Sequence, residues 1–87
     1  MDSLVGCFAR SKAGHDKKQL YIVIAQEGDF VSLCDGRLKT VDHPKQKRMK
    51  HVQPVFCKVE ASLFEKINNQ EQICNEEIKY EIKKYQN

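Results

Sequence analysis

The chain is expected to be mainly β: a small five-stranded barrel over residues 1–59, followed by a short C-terminal α-helical extension over residues 60–87 packed on or next to it. Three observations predict this. Between Leu4 and Val59, short runs rich in Val, Ile, Phe, Tyr and Leu are separated by polar segments containing glycine or proline, the punctuation of strands. From Ser62 onward the apolar residues change to helical spacing. At 87 residues the chain is one domain. A domain of that size buries only about 60–65% of its unfolded surface, so a small barrel or bundle is the upper limit and an enclosed catalytic cleft is hard to build.

The first strand is read at Leu4 to Arg10, and the polar stretch Ser11 to Gln19, with Gly14 inside it, is a loop. Leu20 to Gln26 is dense in Tyr, Ile and Val and forms the second strand. Glu27-Gly28-Asp29 is a turn, and Phe30 to Cys34 the third strand. Asp35-Gly36 suits a two-residue type I′ turn, whose central residues need positive φ, so a fourth strand is expected from Arg37. That turn would pair Cys34 with Arg37, Leu33 with Leu38, Ser32 with Lys39 and Val31 with Thr40. Val31, Leu33, Leu38 and Thr40 would then share the core face, with Arg37 and Lys39 outward beside Ser32 and Cys34. Phe30 is expected to be buried; if exposed, it could stack on a base.

After Val41 the sequence His43-Pro44-Lys45-Gln46-Lys47-Arg48-Met49-Lys50 reads as a basic loop, because proline blocks helix entry and clustered charge opposes regular pairing. Val52 to Val59 is the last strand, with Pro54 pointing to an edge or a bend. Five short strands joined by tight turns suggest an SH3-like barrel. Ser62-Leu63-Phe64-Glu65 has the form of a capping box, and Asn68-Asn69 ends that first helix. Asn75 is expected to cap a second helix from Glu76 to Tyr85, with Glu76 and Glu77 at its positive end and Lys83 and Lys84 at its negative end. Ile78, Ile82 and Tyr85 need an apolar surface, either the barrel or a docked partner.

Charge is unevenly placed. Residues 1–54 carry ten Lys/Arg and six Asp/Glu, net +4, whereas residues 55–87 carry five and six, net −1. Six cations, Arg37, Lys39, Lys45, Lys47, Arg48 and Lys50, face one acid, Asp42, between positions 37 and 50. Such a concentration within a folded segment points to a polyanionic partner. The four cysteines, Cys7, Cys34, Cys57 and Cys74, include no CxxC pair, and no two of His15, His43 and His51 share a ligand spacing. No metal or cofactor is therefore expected, and the thiols read as reduced. The longest apolar run, Leu20 to Ala25, has six members. A membrane span needs ~20, and no leader pattern follows Met1, so no membrane partner is expected and the localisation is expected to be cytoplasmic. No spacing suggests a nucleophile, base and orienting acid, so neither an enzyme nor a small-molecule substrate is expected.

Within the loop Ser11-Lys12-Ala13-Gly14-His15-Asp16-Lys17-Lys18, a glycine permits a tightly bent backbone whose amides can face a phosphate, and three lysines surround it. The segment VGCFARSKAGHDKKQLYIVI resembles the KOW motif of ribosomal proteins and of transcription elongation factors of the NusG kind. CDGRLKTVDHPKQKRMKHVQP is similar to the stretch that follows this motif in the L14e-like family of large-subunit ribosomal proteins and its short stand-alone bacterial relatives. Together the match spans about residues 4 to 57. Lys12, Gly14, Asp16 and Lys17 match the motif loop; Asp35, Gly36, Arg37, Pro44, Lys45 and Lys47 match the downstream segment. Two positions depart: Lys18 stands where a glycine is common, and His15 where a basic residue is usual.

The resemblance implies an SH3-like barrel that binds structured RNA, typically ribosomal, as a ribosome component or associated factor in translation. The expected RNA contacts are Lys12, Gly14, His15, Lys17, Lys18, Arg37, Lys39, Lys45, Lys47, Arg48 and Lys50, with Arg37 the best placed for a bidentate phosphate contact. Ribosomal proteins are a further expected partner, through the C-terminal helix. The alternative is a protein-interaction module using the barrel groove and that helix, for which a chain with no Trp, three Tyr and four Phe supplies few aromatics.

Overall fold

A computed structural model describes residues 3–12 and 19–86, except the Phe56 side chain. Five antiparallel strands form a curled half-barrel: β1 (Cys7–Ser11), β2 (Leu20–Glu27), β3 (Phe30–Cys34), β4 (Lys45–Arg48) and β5 (Val52–Lys58). A 3-10 turn, Met49–His51, joins the last two, and α1 (Ala61–Asn68) and α2 (Asn75–Gln86) follow. The sheet order is β4-β3-β2-β1-β5, a meander whose final strand returns beside the first, as in an SH3-like barrel. The register slips between Val23 and Ala25 in β2 and between Cys7 and Phe8 in β1. Such irregularities bend strands and increase their twist, which helps a sheet to curl.

The apolar run that opens β2 has a simple cause: over Leu20 to Val23 both of its faces are covered. Tyr21 and Val23 face inward with Ala9, Val31, Leu33 and Val52. Leu20 and Ile22 face outward, where Leu63, Ile67, Ile78 and Ile82 from the helical extension cover them together with Phe8, Cys34 and Val59. A strand buried on both sides has no reason to alternate with polar residues. The helices therefore pack on the barrel, and the ring of Tyr85 stacks on Phe8 at a centroid distance of 4.5 Å.

The expected second hairpin does not form. The tight turn is Gly28-Asp29, with Gly28 at φ 58° and Glu27 opposite Phe30. At Asp35-Gly36 the buried Asp35 carboxylate closes a wider loop instead: its Oδ1 accepts the amides of Arg37 and Lys39, each at 2.9 Å, and the Lys39 carbonyl accepts the amides of Asp35 and Gly36. A side-chain oxygen that captures backbone donors two and four residues ahead competes directly with ladder pairing. Gly36 sits at φ 79°, where a Cβ would lie 2.6 Å from the Asn75 carbonyl oxygen. Leu38, expected in the core, is 86% exposed, while Cys34, expected outward, is fully buried beneath the helices.

β4 is consequently the stretch expected to be the basic loop. Lys45 pairs with Leu33, Gln46 with Ser32, Lys47 with Val31 and Arg48 with Phe30. Charged side chains are compatible with this strand because it lies at the sheet edge, where one side of the ladder faces no neighbour and lysines discourage further pairing. Pro54 lies in the opposite edge strand, β5.

The helix caps also differ from expectation. α1 begins one residue before Ser62, with Glu60 at its N-cap and no side-chain cap. The buried Glu81 of α2 accepts the Glu60 amide at 2.9 Å and pairs with Lys84 at 3.1 Å, so one carboxylate joins the two helices. Asn75 turns its Oδ1 to the Val41 amide at 2.8 Å, leaving Glu77 to reach back to the Cys74 amide at 3.2 Å. The acidic and basic ends of α2 lie as expected.

Candidate functional site

Alternation along β4 divides its cations between the two faces of the sheet. Lys45 and Lys47, opposite the buried Leu33 and Val31, are half-buried over the inner core. Lys45 Nζ lies 5.8 Å from the Tyr21 ring centroid, and Lys47 Nζ donates to Ser11 Oγ at 2.6 Å, tying β4 to β1. Burial, and then the charge of Lys47, pull the Lys45 ammonium below its ordinary pKa. Burial, and then the Asp35 carboxylate, push the Tyr21 phenol up. The Lys45 ammonium on the inner side of β4 is thus partly desolvated, which strengthens its attraction for an anion.

Arg48 and Gln46 lie on the other face and are exposed. Phe30, expected to be buried, is 43% exposed, and the Arg48 guanidinium stands over its ring at 5.2 Å from the centroid. The ring is beyond the cover of the helices, which reach Cys34 on the same strand face. Lys50 is exposed on the 3-10 turn, whose Met49 amide donates to the Asp29 carbonyl at 2.7 Å. Lys12, also exposed, donates its amide to the His51 carbonyl at 3.0 Å, which places the end of β1 beside the start of β5.

Of the expected contact residues, Lys45, Lys47, Arg48 and Lys50 therefore line one edge of the sheet as a basic flank, Lys45 and Lys47 on its inner face and Arg48 on its outer, with Lys12 at its border. Arg37 and Lys39 fall in the Asp35-centred loop rather than on a strand; Arg37 is exposed, and the Lys39 backbone is engaged by Asp35. Gly14, His15, Lys17 and Lys18, with Asp16, lie outside the described residues. Sequence reasoning missed the roles of Ser11 and Tyr21 as partners of the lysines, because neither carries a charge or motif that marks it. The exposure of Phe30 was legible only as an undecided alternation at the end of β3.

Among the described residues, no three or more His, Cys, Asp or Glu side chains gather in a form that could hold a metal ion, and no helix is long and apolar enough to cross a membrane. Cys7 and Cys34 are buried, and burial pushes the Cys34 thiol up to about 11; Cys57 and Cys74 are exposed. No protein-family model and no curated protein matches the chain.

Proposed function

We propose that the protein binds structured RNA in the cytoplasm, with ribosomal RNA the expected target, through the flank built by β4 and the turn after it. The reading rests chiefly on one observation: Lys45, Lys47, Arg48 and Lys50 fill four of six consecutive positions of a folded edge with no acid among them. A solvated charged loop needs no such fixation, whereas phosphate recognition gains from cations held in register. Shape, phosphates and 2′-hydroxyls carry recognition of A-form RNA, so the surface needs no sequence readout. The KOW-like sequence of the 12–18 loop and the Asp35-Gly36-Arg37 segment supports the same reading. Ile78 and Ile82 are buried against the sheet, so a ribosomal protein docking on α2 would meet the exposed Tyr80 rather than the apolar face of the helix.

Sedimentation of a lysate through sucrose gradients at low and high salt tests the ribosomal target. Native protein is expected to travel with ribosomal particles at low salt and to be released at high salt. A chain that stays at the top of the gradient at every salt concentration, while folded by circular dichroism, would overturn the ribosomal assignment.

A further inference from the structure

Phosphate contact by Arg48 leaves unused its neighbours Phe30, Ser32 and Gln46 on the outer face of β3 and β4. An aromatic ring held 43% exposed keeps apolar surface in water, and here a guanidinium already lies over it at 5.2 Å. Beside this ring is a shallow cavity lined by Phe30 and Ser32 of β3, Gln46 of β4, Gln26 and Glu27 at the end of β2, and Gln70 from the α1–α2 connection. Four separate parts of the chain thus converge on one small recess.

The chemistry of that recess is selective. Gln46 and Gln70 each carry an amide that both donates and accepts, whereas the Gln26 side chain, paired across from Val31, turns to the inner face, where its Oε1 accepts the Leu4 amide at 2.9 Å. The Glu27 carboxylate accepts N–H groups and repels phosphate. An aromatic face beside mixed donors and acceptors suits a flat heterocycle with a polar edge, whereas an aliphatic side chain or a phosphate would leave much of it unsatisfied. Arg48 borders the recess on one side and continues into the basic flank on the other.

We infer that Phe30 is a stacking platform for one unpaired nucleobase of the bound RNA, with Gln46 and Gln70 facing the base edge and Arg48 meeting the adjoining phosphate; this rests on the RNA reading above. Bases within a duplex have both faces stacked, so the ligand is an RNA whose loop, bulge or end presents a free base beside a helix. The basic flank would hold the helix while the ring takes the free base.

The test compares two RNAs at one salt concentration: a hairpin carrying 2-aminopurine, whose emission falls on stacking, in its loop, and a blunt duplex with the same stem. Native protein is expected to quench the loop fluorophore. Phe30→Leu is expected to weaken hairpin binding about tenfold while leaving duplex binding unchanged. Binding of both RNAs with unchanged loop emission, and with Phe30→Leu equal to the native chain, would overturn the platform and leave the RNA reading standing. Binding of neither RNA by the folded native protein would overturn both. The quenching measurement uses the native chain and so does not depend on how the variant folds.

Discussion

β2 and β4 belong to one sheet and are separated only by β3, yet they are built from opposite materials. β2 reads LYIVIAQE and its first four residues are buried; β4 reads KQKR and alternates between half-buried and exposed. The difference follows from position. An interior strand with a core on one face and helices on the other must be apolar, while an edge strand at the rim of both cores can carry charge on both faces. In a domain this small the two tasks are divided laterally across the sheet: stability is concentrated at its centre and recognition at one edge. Substitutions in the two strands should therefore separate folding from binding.

The sharpest contrast is expected from removing buried volume. Ile22→Ala empties a fully buried site between Phe8 and the helices and should cost about 2–5 kcal/mol in urea denaturation. Gln46→Ala in β4 should stay within about 0.5 kcal/mol by the same measurement. Equal losses in both strands would break the comparison.

Next comes the seam that holds the helices together. Glu81→Ala leaves the Glu60 amide without its carboxylate and should lower stability by about 1–3 kcal/mol. Its effect on RNA affinity at temperatures where the chain stays folded should be negligible, since its partners Glu60 and Lys84 are not among the proposed RNA contacts.

Thiol reactivity sharpens the contrast without mutation. Cys57 and Cys74 should react with a thiol reagent in the native protein, while Cys34, buried and with its pKa raised to about 11, should react only on unfolding. Rapid native-state labelling of Cys34 would contradict the covered outer core.

The smallest effect concerns Lys66 and Glu77, 3.0 Å apart between α1 and α2. The hydrogen bond from Lys66, and then that from the Cys74 amide, hold the Glu77 carboxyl below its usual range. A carboxylate whose folded pKa is depressed adds stability above its unfolded pKa and loses it as pH falls through the folded value. Acidification below about 4 should therefore narrow the stability gap between native protein and Glu77→Gln, a gap of only a few degrees in Tm at neutral pH because the pair is partly exposed and screened by solvent.

Much of the β content was readable from residue type. β3 was placed to the residue and β2 to within one, because their apolar runs end at glycine-bearing turns. β4 was placed eight residues too early, at Arg37 rather than Lys45. The dipeptide Asp35-Gly36 is compatible with two outcomes, a type I′ turn or a loop nucleated by the Asp35 carboxylate, and the loop that forms sets Gly36 against Asn75 of α2. That contact spans about forty residues of sequence and leaves no local signature. The same limit applied to Ser62 and Asn75, neither of which caps a helix as expected: Ser62 lies inside α1 behind Glu60, and the Asn75 side chain is taken by the Val41 amide. The basic residues themselves were named from sequence; what the sequence did not carry was their division between the Tyr21 side and the Phe30 side of β4.

The central claim, that the β4 edge together with Arg37 of the loop before it binds structured RNA electrostatically, is tested most directly by measuring affinity for a stem-loop RNA across a range of salt concentrations. Native protein should be compared with Arg37→Gln/Arg48→Gln/Lys50→Gln, which removes three exposed charges and spares the buried contacts of Lys45 and Lys47. If about five to seven phosphates are engaged, log K should fall against log salt with a slope of roughly −4 to −6, and the variant's slope should be shallower by about 2 to 3. Equal slopes for both proteins, or affinity indifferent to salt, would contradict the account.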